Sequence, residues 1–155
     1  MAAESTPTER LILELSTGPV AIALRSDLAP GHVARVKELA GEGFYDGIVF
    51  HRVIEGFMAQ TGDPTGTGRG GSGRKLKAEF SDAPFERGVV GMARAQSPDS
   101  GDSQFFICFE PARFLDGQYT VWGEVVDGME NVDKIKRGEP PSSPDRIVKA
   151  RVEEG

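Results

Sequence analysis

The sequence contains one cysteine and two histidines among 155 residues, and this scarcity argues against several kinds of site. Cys108 cannot form an internal disulfide. It lies in the apolar run Phe105-Phe106-Ile107-Cys108-Phe109, which favours a buried small side chain over a reactive thiolate. His32 and His51 are scattered along the chain, and we expect His32 to be exposed near a helix start. Because no cluster of metal ligands emerges, we expect no metal and no cofactor.

Long apolar segments and an excess of basic residues are also missing. No uninterrupted apolar run approaches transmembrane length, and residues 1–7 lack the basic start and apolar core of a secretory signal. The formal net charge of −6 argues against a broad surface for nucleic acid or an anionic membrane. We therefore expect a cytoplasmic protein with no nucleic-acid or membrane partner. We also expect a monomer, since no pattern predicts an interface.

Length and hydrophobic patterning predict a single domain over residues 10–155, preceded by a flexible tail over residues 1–9. Apolar residues at helical spacing predict helices over 30–40 and 128–137. Many short strands with glycine-rich turns and two helices favour a β barrel with helical caps. Short apolar runs bounded by glycine and proline turns predict strands at 11–15, 20–24, 48–54, 57–60, 89–93, 104–109, 120–126 and 147–152.

Two motifs associated with other enzyme classes are weak in this sequence. Residues Gly66–Gly71 formally match G-x-G-x-x-G, but Asp63-Pro64 precedes them instead of a strand, and another glycine follows instead of a helix. Ser97 and Ser103 lack the context of a nucleophile elbow. A nucleotide-dependent enzyme that uses the glycine loop remains an alternative, which a ligand titration would test. Long loops such as 62–77 are often functional.

An arginine within an apolar segment is the most informative feature of the chain. Between Phe50 and Gln60, strand alternation places Phe50, Arg52 and Ile54 on one face. An arginine among large apolar side chains is costly unless it is paired or used. Spacing alone leaves two interpretations open, a surface arginine at a strand end or a functional group.

Six segments of the chain together form a recognisable pattern. They are Phe50-His51-Arg52-Val53-Ile54, Gly56-Phe57-Met58-Ala59-Gln60, Gly62–Gly71, Ser103-Gln104-Phe105-Phe106-Ile107-Cys108, Phe114-Leu115-Asp116-Gly117 and Val121-Trp122-Gly123-Glu124-Val125. Together they resemble the cyclophilins, in a bacterial-like single-domain form. The resemblance covers about Leu11 to Val152, and it implies a peptidyl-prolyl cis-trans isomerase. The fold it implies is mainly β, a closed eight-stranded antiparallel β barrel capped by two α-helices, with the active site on the outer face.

The resemblance also implies a role for each site residue. Arg52 takes the position of the catalytic arginine, and Gln60 and Gln104 take positions that orient it and the substrate backbone. The backbone of residues 93–95 is implied to pair with substrate. The proline pocket is implied to be lined by Phe57, Met58, Phe106 and Leu115. The remaining substrate-binding positions are Ala93, Arg94, Ala95, Phe114, Tyr119 and Gly68.

Three residues depart from well-known eukaryotic members of that family. Arg94 stands in place of an asparagine, Phe114 in place of a tryptophan and Tyr119 in place of a histidine. A backbone role would survive the first change, whereas the other two alter the cleft rim, so we expect weak cyclosporin binding. The expected partners are proline-containing peptides and unfolded or folding proteins. The alternative is a proline-peptide binding module or chaperone with little turnover, because sequence gives no rate.

Overall fold

The computed structural model describes residues 9–68 and 70–154, and β-strands predominate in them. The two helices are α1 (Pro30–Gly41) and α2 (Met129–Asp133), with a 3-10 turn at Arg113–Leu115. The predicted tail lies outside the described residues except for Glu9, which begins the first strand. The strands are β1 (Glu9–Leu15), β2 (Gly18–Leu24), β3 (Arg52–Ile54), β4 (Met58–Thr61), β5 (Val89–Met92), β6 (Phe105–Cys108), β7 (Val121–Asp127) and β8 (Ile147–Glu154).

The strands form one antiparallel sheet in the order β3-β4-β6-β5-β7-β2-β1-β8. The prediction of eight antiparallel strands with two helices is confirmed, but the prediction of a closed barrel is wrong, because no ladder joins β3 to β8 in the part of the chain that the structure describes. On that side the described residues form isolated bridges instead, Val49 with Arg146 and Val53 of β3 with Gly138. The segment that precedes β8 contains Pro140, Pro141 and Pro144, which have no N–H to donate to a ladder.

Alternation along the strands separates two apolar clusters. Val53, Ala59 and Phe105 belong to the main core, which also contains the fully buried Trp122. Their neighbours along the strands belong to a second cluster, whose buried members include Met58, Phe85, Phe106, Cys108 and Leu115. This second cluster lies on the other face of the sheet and carries the candidate site.

The strand predicted over 48–54 begins only at Arg52, and this changes one predicted neighbour. Phe50 is fully buried in the main core, whereas Arg52 is exposed and Ile54 packs on the second cluster. The alternation between Arg52 and Ile54 holds because both lie within β3. It does not extend to Phe50, because residues 50 and 51 precede the strand.

The second helix is shorter than the 128–137 that the spacing predicts, since α2 ends at Asp133. Beyond that point the N–H groups of Lys134 and Ile135 donate to carbonyls three residues earlier, which is the tighter 3-10 pattern. The guanidinium of Arg137 donates to the carbonyls of Asp133 and Ile135. These bonds satisfy carbonyls that a continuing helix would otherwise use.

A carboxylate from a distant loop caps α1, and the expectation that His32 is exposed is wrong. Glu79 accepts hydrogen bonds from the backbone N–H of Gly31 (3.1 Å) and of His32 (2.8 Å), and from His32 Nδ1 (2.7 Å). His32 is 2% exposed. Burial of Glu79 opposes its ionisation, but the hydrogen bonds from His32 and Gly31 outweigh it and hold the pKa below the usual range.

We predict that Glu79→Ala lowers the free energy of unfolding by about 1–2 kcal/mol, because it leaves helix N–H groups without an acceptor. Because the folded-state pKa of Glu79 is depressed, its charge stabilises the fold above the unfolded pKa of about 4.3, and this contribution is lost as pH falls through the folded pKa. Urea unfolding of wild type, Glu79→Ala and Glu79→Gln from pH 7 to pH 3 measures both effects. Glu42→Ala, at the exposed C-terminal end of α1, is the matched control. Equal stabilities of wild type and Glu79→Ala at pH 7 would contradict the capping role.

Candidate active site

The pairing of β3, β4, β6 and β5 places the central site residues in one row. Arg52 pairs with Gln60, Gln60 with Phe106, and Phe106 with Gly91. Residues directly opposite each other in adjacent strands point to the same face, so Arg52, Gln60 and Phe106 project together. A Cβ on Gly91 would lie 2.7 Å from the Phe85 ring and 2.8 Å from the Phe106 ring, so glycine leaves the space in which these rings stack.

A chain of polar contacts holds Arg52 at the edge of this row. Arg52 Nη1 donates to Gln60 Oε1 at 3.4 Å, and Gln60 Nε2 donates to Gln104 Oε1 at 3.0 Å. Gln104 Nε2 in turn donates to the carbonyls of Gly68 (3.0 Å) and Gly70 (2.9 Å). The structure therefore brings the candidate residues Arg52, Gln60, Gln104 and Gly68 together, and it connects the arginine to the glycine loop.

A carboxylate that the sequence analysis missed lies against the same guanidinium. Arg52 Nε donates to Glu139 Oε1 at 3.3 Å, and both side chains are about half exposed. The neighbouring residue Gly138 brings Glu139 to this position, because the backbone groups of Gly138 exchange hydrogen bonds of 2.8 Å with those of Val53 in β3. No local pattern signals this contact, since the two residues are 87 positions apart in the sequence.

Predicted site residues also form an open pocket of about 120 Å³ beside Arg52. Its apolar wall includes Met58, Phe106 and Leu115, each at least 93% buried. Phe114 is not among the residues that line it. Instead Phe114 is 73% exposed and its ring lies 5.6 Å from that of Phe57. The lining residues are Arg52, Phe57, Met58, Gln60, Ala93, Arg94, Phe106, Leu115 and Tyr119.

A wider cleft of about 480 Å³ adjoins this pocket and shares Gln60, Ala93 and Arg94 with it. The remaining predicted residues, Gly68, Ala95 and Gln104, line this cleft. Residues that the sequence analysis did not assign to the site complete its walls, and they are Gly70, Gly71, Gly73, Lys75, Ser100 and Asp102.

Two aspartates bind the backbone of the glycine loop. Asp63, 1% exposed, accepts hydrogen bonds from the N–H groups of Thr65, Thr67 and Gly68, and from the Thr65 hydroxyl. Burial opposes its ionisation, but these hydrogen bonds outweigh it and hold the pKa of Asp63 well below its usual range. Asp102 accepts from the N–H groups of residues 72–74. These loop amides are therefore directed at protein carboxylates, which argues against the nucleotide interpretation of the G-x-G-x-x-G match.

The titratable residues near the site do not form a nucleophile or a metal centre. Within residues 9–68 and 70–154, no group of three or more His, Cys, Asp or Glu side chains is placed to hold a metal ion. Burial raises the pKa of the Cys108 thiol to about 12, so a thiolate is disfavoured at neutral pH. Burial also lowers the pKa of His51, so its ring is neutral at that pH as well. The pocket lining offers the hydrogen-bonding groups of Arg52 and Gln60 beside apolar walls.

Comparisons with known proteins agree with this geometry. Residues 10–152 match the family model described as cyclophilin type peptidyl-prolyl cis-trans isomerase/CLD. A probable peptidyl-prolyl cis-trans isomerase from Brucella suis is 52% identical over 98% of this chain and 86% of its own length. A peptidyl-prolyl cis-trans isomerase from Helicobacter pylori is 43% identical over 88% of this chain and 85% of its own.

Solved structures show the same relationship. The cyclophilin AquaCyp293 from Hirschia baltica superimposes with a TM-score of 0.85 at 32% identity, covering 93% of this chain and 73% of that one. A cyclophilin type peptidyl-prolyl cis-trans isomerase from Cryptosporidium parvum, crystallised in the presence of the dipeptide Ala-Pro, gives a TM-score of 0.87 at 28% identity, covering 94% and 99%. With its strand register, its arginine-edged apolar pocket and these relatives, the chain belongs to the cyclophilin-type peptidyl-prolyl cis-trans isomerase family.

Proposed function

We propose that this cyclophilin-type isomerase accelerates X–Pro isomerisation in peptides and folding proteins without a covalent intermediate, by using Arg52 to stabilise the twisted amide. The observation that carries the proposal is the position of the guanidinium. It lies at the edge of an apolar pocket and is held from two sides by Gln60 and Glu139.

The chemistry requires only a donor at the right place. Resonance gives the peptide C–N bond partial double-bond character, with a barrier to rotation of about 18–20 kcal/mol. In the twisted transition state the proline nitrogen regains a lone pair and becomes a better acceptor. A hydrogen bond to that nitrogen is therefore stronger in the transition state than in either planar isomer, and such differential binding lowers the barrier.

Arg52 suits this role because its guanidinium stays protonated and carries several donors in a fixed plane. Glu139 receives Nε–H and Gln60 receives Nη1–H, so the plane is oriented from two directions. The apolar side chains of Met58, Phe106 and Leu115 would hold the proline ring and exclude water. In such a setting a hydrogen bond to the amide nitrogen is electrostatically stronger than in bulk water.

Proline-containing peptides are the proposed substrates. The crystallisation of the Cryptosporidium relative in the presence of Ala-Pro supports this, as does a pocket with apolar walls and one charged edge. We propose that the backbone of residues 93–95, which lies between the pocket and the wider cleft, pairs with the substrate backbone. Monomeric state and cytoplasmic location remain predictions from the sequence.

Arg52→Ala should lower kcat/KM for a short X–Pro peptide by about 100-fold or more, because it removes the donor to the developing lone pair. Arg52→Lys should also be impaired, since a point charge does not reproduce the planar fork. A proline-isomerisation assay measures both, with Arg10→Ala, at an exposed position of β1, as the matched control. Full turnover by folded Arg52→Ala would refute the mechanism, and wild type that binds the peptide without turnover would favour the binding-module alternative.

Activity should vary little between about pH 6 and 9, because the proposed donor does not titrate in that range. The neighbouring ionisable groups support a flat profile. His51 has a pKa lowered by burial, so it loses its proton below its ordinary value of about 6.5, and Asp63 is ionised throughout. A bell-shaped profile of kcat/KM, with circular dichroism showing a folded protein at each pH, would indicate acid–base catalysis instead.

Phe114→Trp should tighten cyclosporin binding by about one to two decades. The exposed phenyl ring beside Phe57 offers apolar contact but no donor, whereas an indole N–H could satisfy a drug carbonyl. A buried carbonyl without a partner costs roughly 1–3 kcal/mol, which corresponds to that change in affinity. Calorimetric titration of both proteins measures it, and peptide turnover should change much less. Equal affinities would show that the missing indole donor does not limit binding.

A further inference from the structure

Two residues at which the sequence departs from the family pattern are in contact in the structure. The guanidinium carbon of Arg94 lies 4.6 Å from the centroid of the Tyr119 ring, which is the geometry of a cation–π interaction. In the sequence alone, Arg94 and Tyr119 are two separate changes. Their contact indicates that they act as a pair.

The same guanidinium connects two segments of the chain that border the small pocket. Arg94 Nε and Nη2 donate to the carbonyl of Gln118 at 3.0 and 2.9 Å. Arg94 Nη1 donates to the carbonyls of Ala95 (3.0 Å) and Gln96 (3.1 Å). All these acceptors are backbone carbonyls, and Gln118 lies 24 positions away in the sequence. The side chain therefore ties residues 94–96 to residues 118–119.

Tyr119 also contacts the apolar wall of the pocket. Its ring packs edge-on against Phe106, with centroids 5.7 Å apart and planes at 88°. Phe106 in turn stacks on Phe85 at 5.8 Å. Arg94, Tyr119 and Phe106 all line the pocket. A continuous set of contacts thus runs from the Arg94 guanidinium to the apolar surface against which a proline ring would lie.

We propose that Arg94 is a positioning residue that, through Tyr119, holds the Phe106 wall and the backbone of residues 93–95 in the arrangement that binds substrate. The inference rests on the proposed function, because it concerns the same pocket. Lysine cannot replace the arginine, since its ammonium cannot donate to these three carbonyls in one plane while stacking on the ring. Preorganisation of this kind lowers the cost of binding without adding a contact at the reacting bond.

The test is a double-mutant cycle on Arg94→Asn and Tyr119→Ala, read first as the Kd of an Ala-Pro-containing peptide by NMR titration. Each single variant should raise the Kd by about three- to tenfold, and the double variant should be little worse than either, because both changes break one unit. Relative to wild type, KM should rise in these variants while kcat stays within about twofold. Tyr119→Phe should lose less affinity than Tyr119→Ala, because the ring face is retained, and Arg94→Lys should resemble Arg94→Asn.

Arg151→Asn is the matched control, since Arg151 is a β8 arginine that pairs with Glu14 and Glu153. Thermal unfolding separates a general loss of folding from a change in the pocket. The inference is overturned if the Kd of Arg94→Asn equals that of wild type, if Arg94→Lys restores full affinity, or if the two single losses add. Because an equilibrium Kd does not depend on the rate of isomerisation, these outcomes are distinguishable from failure of the proposed function, which an inactive wild type or a fully active Arg52→Ala would show.

Discussion

The register of three short strands is the constraint on which the site depends. Arg52 lies opposite Gln60, and Gln60 opposite Phe106, so that the catalytic candidate, its orienting amide and the pocket wall share one face. Successive residues in a strand point to opposite faces, so a slip of one residue would move this whole set to the other side. The main core opposes such a slip, because the alternate residues, including Val53, Ala59 and Phe105, are buried in it.

Loops supply the rest of the site and its surroundings, and carboxylates hold several of these loops in place by hydrogen bonds. Asp63 and Asp102 gather the amides of the glycine loop, Glu139 holds Arg52, and Glu79 caps α1. In a chain with a net charge of −6, acidic groups near the cleft are therefore engaged with backbone N–H groups or with arginine. The cleft is ordered by hydrogen bonds before any substrate arrives, which suits a reaction that needs a fixed donor.

The sequence predicts the strands and the first helix well, because apolar periodicity reflects burial on one side of a sheet or helix. The central site is assigned for a different reason, namely that Arg52, Gln60, Gln104 and Phe106 lie in contiguous motifs, and the roles of these residues stay predictions. The sequence does not predict the contacts of Glu139 and Glu79, because both residues lie in loops and their partners are distant in the sequence. It also fails for closure of the barrel, because pairing between β3 and the segment before β8 depends on backbone donors that prolines remove. The contact between Arg94 and Tyr119 is likewise one that the sequence does not predict.

In the proposed mechanism Arg52 acts on the twisted amide and not merely on substrate binding. The most direct measurement is NMR exchange between cis and trans forms of an Ala-Pro-containing peptide held saturated by excess protein, so that affinity does not enter. With wild type, the bound forms should interconvert rapidly. With Arg52→Ala, saturation should be reached while the bound exchange rate falls by about 100-fold or more. A bound exchange rate in Arg52→Ala equal to that of wild type would contradict the claim, because the arginine would then contribute to binding alone.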